Sequence, residues 1–535
     1  MNKNTARFFM GAGLPGQAMP KQFEGKWEAK GKKQNEVTVS LPTNEGNSWL
    51  HPFDAFWMGS AEAGLHVELG GASYTGPLLN LYRPAYPESW YNNGKGGFAL
   101  KETESGSRMT VYSGARNLKK GEKIDFEFAT IITPVKPVNY RSQFTDRYFH
   151  NPRPTEEDLK SGIKIINVHH ANPLNPVINY PFVMVDTLKH FVDSWHKKGA
   201  KVKIYYTIRE LTNAVTEIWA LRSLGDEILR SGNSGSFSTL GGYPWLREHF
   251  VTDYTPQWYQ HFENPAIAGG VQADASVLTA VGDSRWFNYY VEGLKWLVEN
   301  VGIDGLYLDD VAYDRRMLKR MRRAMASVKE GCVIDLHSNT VFSRGPATQY
   351  TEYFPYVDKL WFGESFMYDQ MSPDNWLVEV SGIPFGLMGD MLHAGGNRWL
   401  GMQYGMTVRY PWFTEGVFVD PRPVWKIWDE FGIQDAKMIG FWEDNVPVKT
   451  NNESIKITSY IKPGETLISL GNYSDSSTTF TLDHINWQQL GLHPEKIQLI
   501  IPEIKDFQQA SMLKVHDKIT IDGRKGLLMY IKQIP

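Results

Sequence analysis

From about residue 163 to residue 410 the chain repeats one rhythm: a short apolar run, a polar loop, then an amphipathic helical segment. Apolar runs with few polar interruptions are buried on both faces, and crossover helices join strands of that kind into a parallel sheet. The runs are Ile163 to His170, Val202 to Ile208, Val271 to Ala275, Asp304 to Asp309, Cys332 to Leu336, Lys359 to Phe362, Ile383 to Met388 and Met406 to Tyr410. Between them, Leu188, Phe191, Val192 and Trp195 form one stripe along Met184 to Lys198, and further helices are expected over Trp286 to Asn300 and Arg315 to Lys329. Eight such units predict a closed (β/α)8 TIM barrel in an α/β chain.

Both flanks obey period two instead. Short alternating segments at Glu36 to Leu41, Gly64 to Leu69, Arg108 to Ser113 and Ile124 to Ile132 precede the prolines of TPVKP, Thr133 to Pro137. Alternation returns in Ile455 to Tyr460, Glu465 to Leu470, Ser477 to Leu482 and Gly526 to Ile531. The expected organisation is an N-terminal β-sandwich over residues 1–136, the barrel over 137–439 and a C-terminal β-sandwich over 440–535.

Charge narrows the partners. With 56 basic residues against 59 acidic ones, no global field favours nucleic acid or an anionic membrane. The basic helix containing Arg315, Arg316, Lys319, Arg320, Arg322 and Arg323 reads as the solvated face of an outer barrel helix. No apolar run approaches the roughly 20 residues needed to span a bilayer. The single cysteine, Cys332, has no partner for a disulfide and reads as a buried structural thiol. Aromatic content of 13%, with 18 Trp and 26 Tyr, suits a protein that packs rings on sugar C–H faces. The opening MNKNTARFFMGAGLPG lacks the apolar core and cleavage site of a secretory signal.

Barrel enzymes carry their reactive groups at the carboxyl ends of the strands. Those ends read His169, His170 and Asn172; Arg209 and Glu210; Asp309 and Asp310; Asp335 and His337; Glu364; Asp390 and His393; and Arg409. In GIDGLYLDD, Leu306 and Leu308 share one face and Tyr307 and Asp309 the other, so Asp309 is presented to the cavity. Two carboxylates at such a rim are what cleavage of a glycosidic bond requires, one at the anomeric centre and one at the leaving oxygen. Asp309 is the expected nucleophile and Glu364, in WFGES, the expected acid/base. Trp361 and Phe362 supply an apolar wall that raises a carboxyl pKa; a salt bridge from Glu364 to Arg209 or Arg409 is the structural alternative. Asp310 is expected to position a substrate hydroxyl or cap the next helix. Arg209, Glu210, His169, His170, Asp335, His337, Trp361, Asp390 and Arg409 are expected around the substrate. Adjacent His169 and His170 diverge and do not share an ion, and a divalent site from Asp335, His337 and Asp390 is the minor reading, so no cofactor is expected. Whether calcium supports the Asp-rich loops, and the oligomeric state, stay open.

SWYNNGKGG (Ser89 to Gly97), TPVKP, YYTIREL (Tyr205 to Leu211), GIDGLYLDD, KLWFGES (Lys359 to Ser365) and NWQQLGL (Asn486 to Leu492) together resemble the bacterial glycoside hydrolase family 123-like group, across nearly the whole chain. The resemblance implies a barrel between two β-domains and action on glycosidic bonds of a poly- or oligosaccharide. It also implies export to the periplasm or medium, with an amino-terminal piece expected to be absent from this chain. Substrate-assisted members of family 123 use an adjacent Asp-Glu pair and the 2-acetamido group of N-acetylgalactosamine as nucleophile. Here positions 309 and 310 are Asp-Asp, and Asp429-Glu430 falls in a helix after the eighth strand. Acids after strands four and six instead resemble the retaining clan of α-galactosidases and α-N-acetylgalactosaminidases. The resulting expectation is an exo-acting retaining hydrolase of a galacto-configured sugar; the alternatives are a substrate-assisted β-N-acetylgalactosaminidase and a non-catalytic sugar-binding barrel.

Overall fold

In the computed structural model the described residues are 7–10, 22–26, 55–71, 87–103, 106–208, 210–212, 217–224, 227–228, 259–262, 273–277, 284–309, 315–338, 347–362, 368–392, 396–411, 413–414 and 417–533. Seven parallel strands follow one another in chain order around a single sheet: Arg147–Phe149, Ile163–Val168, Lys201–Tyr205, Gly305–Leu308, Val333–Ser338, Lys359–Phe362 and Gly389–Met391. An eighth segment, residues 407–410, closes the ring. Met391 and Val408 form a parallel bridge, and the Arg409 amide donates to the Met391 carbonyl at 2.8 Å. On the other side the His150 amide donates to the Tyr410 carbonyl at 2.7 Å.

The expected barrel is therefore present, flanked by the expected β-domains, but two of its strands are not those the rhythm suggested. The first is Arg147–Phe149, too short to show a pattern. Of the run Val271 to Ala275, residues 271 and 272 lie outside the described residues and the rest does not enter the ring; Ala273–Val277 is the centre of a separate antiparallel sheet with Glu210–Thr212 and Tyr259–Phe262, inserted after the third strand. One strand overlooked and one misplaced cancel, so Gly305–Leu308 remains the fourth. Ile383–Phe385 is a 3₁₀ turn, and the seventh strand begins after it.

Alternation explains the ring. Ile166, Val168, Val202, Ile204, Leu306, Leu308, Ile334, Leu336 and Leu360 point outward and are 0% exposed beneath the helices, each contributing about 1.5–3 kcal/mol by burial. Helix Val185–His196 covers them with Leu188, Val192 and Trp195, and Arg315–Ala326 with Met317, Leu318, Met321 and Met325. Helix Arg285–Trp296 is capped by the Ser284 hydroxyl, which accepts from the Trp286 amide at 3.1 Å, and buries Trp286, Phe287, Tyr290 and Leu294. Glycine is required at 305, where φ is +151° and an added Cβ would lie 1.9 Å from the Val333 carbonyl oxygen.

Inside, the lower half of the ring is an ionic floor. Lys203 and Asp335 pair with both side chains 0% exposed, and Asp335 also accepts from the Tyr148 hydroxyl at 3.2 Å and from Trp361 Nε1 at 3.0 Å. Beside them Lys359 Nζ sits 2.5 Å from Asp390 and 3.1 Å from Gln143 Oε1. Asp390 also accepts the Thr407 amide at 2.6 Å. Desolvation lowers the Lys203 pKa and raises that of Asp390, while the partner charge opposes each shift. Beneath the floor, at the amino ends of the strands, a cavity of about 460 Å³ is lined by Lys136, Asp146, Cys332 and Asp358 among others.

The N-terminal part comprises two antiparallel sheets, one with Arg7–Met10, Ala55–Gly59, Gly64–Gly70 and Glu127–Thr133, the other with Gln22–Lys26, Gly97–Thr103 and Gly106–Tyr112. The expected segment at Glu36 to Leu41 lies outside the described residues. Buried Trp57 donates to Thr133 Oγ1 at 3.0 Å and meets Phe385 of the barrel at 5.5 Å. In the C-terminal part, strand Ile455–Lys462 serves two cores. Ile455 and Ile457 enter that domain's own cluster with Leu470 and Met529, while the Tyr460 hydroxyl donates to the Met402 carbonyl at 2.7 Å. Tyr404 lies between Trp376 and Trp442, each 5.5 Å away and within 2° of parallel. Among the described residues no helix is long and apolar enough to cross a membrane.

Candidate active site

Above the floor, the inward positions of successive strands form a cup. Asn167 and His169 rise from the second strand, Tyr205 from the third, Tyr307 and Asp309 from the fourth and His337 from the fifth; His150 and Arg409 complete it. Pairing of Tyr307 with Asp335 and of Leu308 with Leu336 carries Asp309 alongside His337. Their contact is close: His337 Nδ1 lies 2.5 Å from Asp309 Oδ1, with side-chain exposures of 4% and 22%. Asp309 thus reaches the open cup, while His337 is held in its wall. The Tyr307 ring stacks beside His337 at 5.9 Å and meets His150 edge-on at 4.8 Å. His169 packs on Tyr205 at 4.6 Å and on His170 at 4.4 Å. The Asn167 side-chain amide lies 2.9 Å from His150 Nδ1.

Burial keeps the imidazoles of His150, His169 and His170 neutral. It pushes His150 and His170 well below the ordinary histidine value, helped at His150 by the Arg409 charge and at His170 by His169. His169 falls from 6.5 to about 4, mainly by burial; Asp309 raises it and Arg409 lowers it. An unfolded histidine therefore takes a proton that folded His169 refuses. Stability from this group is complete above pH 6.5 and is lost as pH falls towards about 4. The melting temperature is expected to drop across that interval and to drop less in His169→Asn; equal slopes for the two proteins would refute the assignment.

The expected rim residues divide by depth. His169, His170, Asp309, His337 and Arg409 belong to the cup. Asp335 and Asp390, expected around the substrate, instead lie in the floor, where Asp335 is 0% exposed and Asp390 6%. Lys203 and Lys359 engage them. Trp361, also expected there, is 2% exposed, donates to Asp335 and meets Tyr148 edge-on at 5.2 Å, so its ring is part of the packed interior. Glu210 opens a strand of the inserted sheet, paired in register with Val277, rather than ending a barrel strand. Arg209, Asp310 and Glu364 lie outside the described residues. Among the described residues no group of three or more His, Cys, Asp or Glu is arranged to hold a metal. Sequence reasoning missed His150, Asn167 and Lys203. Lys203 had a signal, since it is a lysine at the inward phase of the apolar run KVKIYY.

A closed parallel barrel with a carboxylate, imidazoles and a guanidinium at its carboxyl mouth is the framework of a barrel-type glycoside hydrolase. The chain belongs to glycoside hydrolase family 123: the models of that family match its third domain over residues 1–134, its TIM-barrel domain over 139–411 and its C-terminal domain over 420–532. No curated protein matches the chain. Among solved structures, an Anoxybacillus α-amylase superposes with a TM-score of 0.46 at 11% identity, covering 74% of this chain and 99% of its own. The α-galactosidase from Lactobacillus brevis does so with a TM-score of 0.45 at 10% identity, covering 100% of this chain and 74% of its own. The chain is a glycoside hydrolase, and its substrate is a carbohydrate.

Proposed function

We propose that this enzyme is an exo-acting, retaining glycoside hydrolase that removes a terminal galacto-configured sugar. The observation that carries this reading is the Asp309 carboxylate, part-exposed at the carboxyl end of the fourth strand with Oδ1 against His337. A cup closed below by the ionic floor suits a chain end better than a chain interior. Asp309 attacks the anomeric carbon as the glycosidic C–O bond breaks, and Glu364 gives its proton to the departing oxygen. Glu364 then takes a proton from water, whose oxygen displaces the Asp309 carboxylate with a second inversion. A neutral imidazole such as that of His169 or His170 can act towards a sugar hydroxyl as donor or as acceptor. The galacto preference rests on the families that the rim resembles.

Membership of family 123 favours a second reading, in which the substrate's own 2-acetamido group is the nucleophile and the Asp309-Asp310 pair steadies it. The Asp429-Glu430 pair is a poor candidate for that task, because Asp429 sits on the outer helix Arg422–Phe431 and binds Arg147 Nη1 at 2.8 Å. Aryl galactosides and N-acetylgalactosaminides of both anomeric configurations decide between the two. Comparable rates on sugars with and without the 2-acetamido group, with the retained anomer appearing first by proton NMR, are expected. Strict dependence on the acetamido group would transfer the nucleophile to the substrate, and an inverted first product would exclude both readings.

A further inference from the structure

We propose that the cavity at the amino ends of the barrel strands binds a small organic ammonium ion, with Asp146 as its counter-charge and an apolar wall for its body. The site lies on the face opposite the cup and does not rest on the role proposed for Asp309.

The barrel interior is stacked in layers, because alternate residues of each strand point inward at successive depths. On the fifth strand Val333 stands two residues before Asp335 of the floor, and His337 two residues after it in the cup. Val333 therefore lines the next layer down, where the strands begin. Asp146 enters that layer from just before the first strand, Cys332 from just before the fifth, and Leu387 and Met388 from just before the seventh. The space of about 460 Å³ among them is within the range of small-molecule sites. Leu387 and Met388 are buried and form its apolar wall.

Asp146 is half-buried, and the one side-chain partner of its carboxylate among the described residues is the Thr145 hydroxyl at 3.4 Å. Burial pushes its pKa up, opposed by the charges of Lys359 and Lys201. Both of those cations are held elsewhere, Lys359 by Asp390 at 2.5 Å and Lys201 by the Gly331 carbonyl at 2.9 Å. Of the other charges in the lining, Asp358 pairs with Arg322, and Lys136 donates to the Val357 carbonyl. Asp146 has thus given up part of its hydration without gaining an ion pair, which is costly for a carboxylate. A ligand that brings one positive charge, N–H donors and a short apolar body satisfies the carboxylate and the wall together. A neutral molecule of the same shape satisfies only the wall, and an inorganic cation only the carboxylate.

Cys332 is the single cysteine of the chain and lines this cavity, so its rate of reaction with 4,4′-dithiodipyridine reports occupancy independently of turnover. The probes are n-butylammonium chloride, n-butanol and potassium chloride, added to the full chain. At ten times its half-saturating concentration, n-butylammonium is expected to slow the reaction about tenfold, while the other two at that concentration slow it less than about twofold. Equal protection by n-butanol or by potassium chloride would overturn the proposal. So would the absence of protection by n-butylammonium up to about 0.1 M, an affinity too weak for a formed site. Asp146→Asn keeps the shape and removes the charge, and should raise the half-saturating concentration at least about tenfold; a value within about twofold of wild type would refute the role of Asp146. Saturation-transfer NMR on the wild-type chain needs no variant. Transfer to the methyl end of n-butylammonium is expected, and it should vanish once Cys332 carries the thiopyridyl group. A transfer signal that survives that modification would place the amine elsewhere and refute the site.

Discussion

Asp309→Asn is expected to lower kcat by on the order of 10⁴- to 10⁶-fold, the scale on which loss of a covalent nucleophile is felt. The fold should survive, because Asp309 stands at the open end of the barrel and its neighbours Leu306 and Leu308 continue to fill the outer core. The cavity left by Asp309→Ala admits a small anion. Azide can then attack the anomeric carbon from the vacated side, with Glu364 still protonating the leaving oxygen, and the product is a glycosyl azide of inverted configuration. Isolation of that azide would identify Asp309 as the nucleophile. In the acetamido reading the substrate still covers that side of the sugar, so an inverted azide would not form. A variant that turns over at the wild-type rate would remove Asp309 from the reaction altogether.

Lys203→Met is expected to cost about 3–5 kcal/mol of stability, because it strands a buried carboxylate without its cation. Asp335 would keep the Tyr148 hydroxyl and the Trp361 indole N–H but no charge to balance its own. The double variant Lys203→Met, Asp335→Leu removes both charges and should recover most of the loss, since replacing a buried ion pair by apolar groups of similar volume is close to neutral. Thermal melting of the single and double variants checks this. Equal destabilisation in both would mean that Lys203 contributes packing rather than charge.

Much of the barrel was legible because its strands are buried on both faces and leave an apolar signature. The fourth strand, expected at Asp304 to Asp309 and found at Gly305–Leu308, could be read to within one residue at each end, including which of its side chains face the cup. Arg147–Phe149 could not, since three residues have no period and the preceding helix Tyr140–Thr145 blends into them. His150 was lost with that strand. Ala273–Val277 misled for the opposite reason: an apolar run announces a strand without naming the sheet it joins. The site shows a different limit. Alternation tells which face a residue occupies, not how far along the barrel axis it sits. Asp335 and His337 share a face, yet they lie about 7 Å apart along the strand, and that step separates the buried floor from the cup. Depth comes only from the register between neighbours, here Asp335 with Tyr307 and with Lys359.

The ring is completed by the backbone bond from His150 to Tyr410, which joins the beginning of the barrel to its end. During synthesis the first seven strands leave the ribosome before the segment that can seal them. Until residues 407–410 arrive, Arg147–Phe149 and Gly389–Met391 are open edges able to pair with another chain. The closing contact has a long sequence separation, so its loop entropy is met late and the final step is intrinsically slow. Helix Arg422–Phe431 follows directly, and Asp429 on it grips Arg147 of the first strand. That ion pair acts as a latch across the newly formed seam, so expression conditions that slow release of the carboxyl-terminal third should increase aggregation more than those that slow initiation.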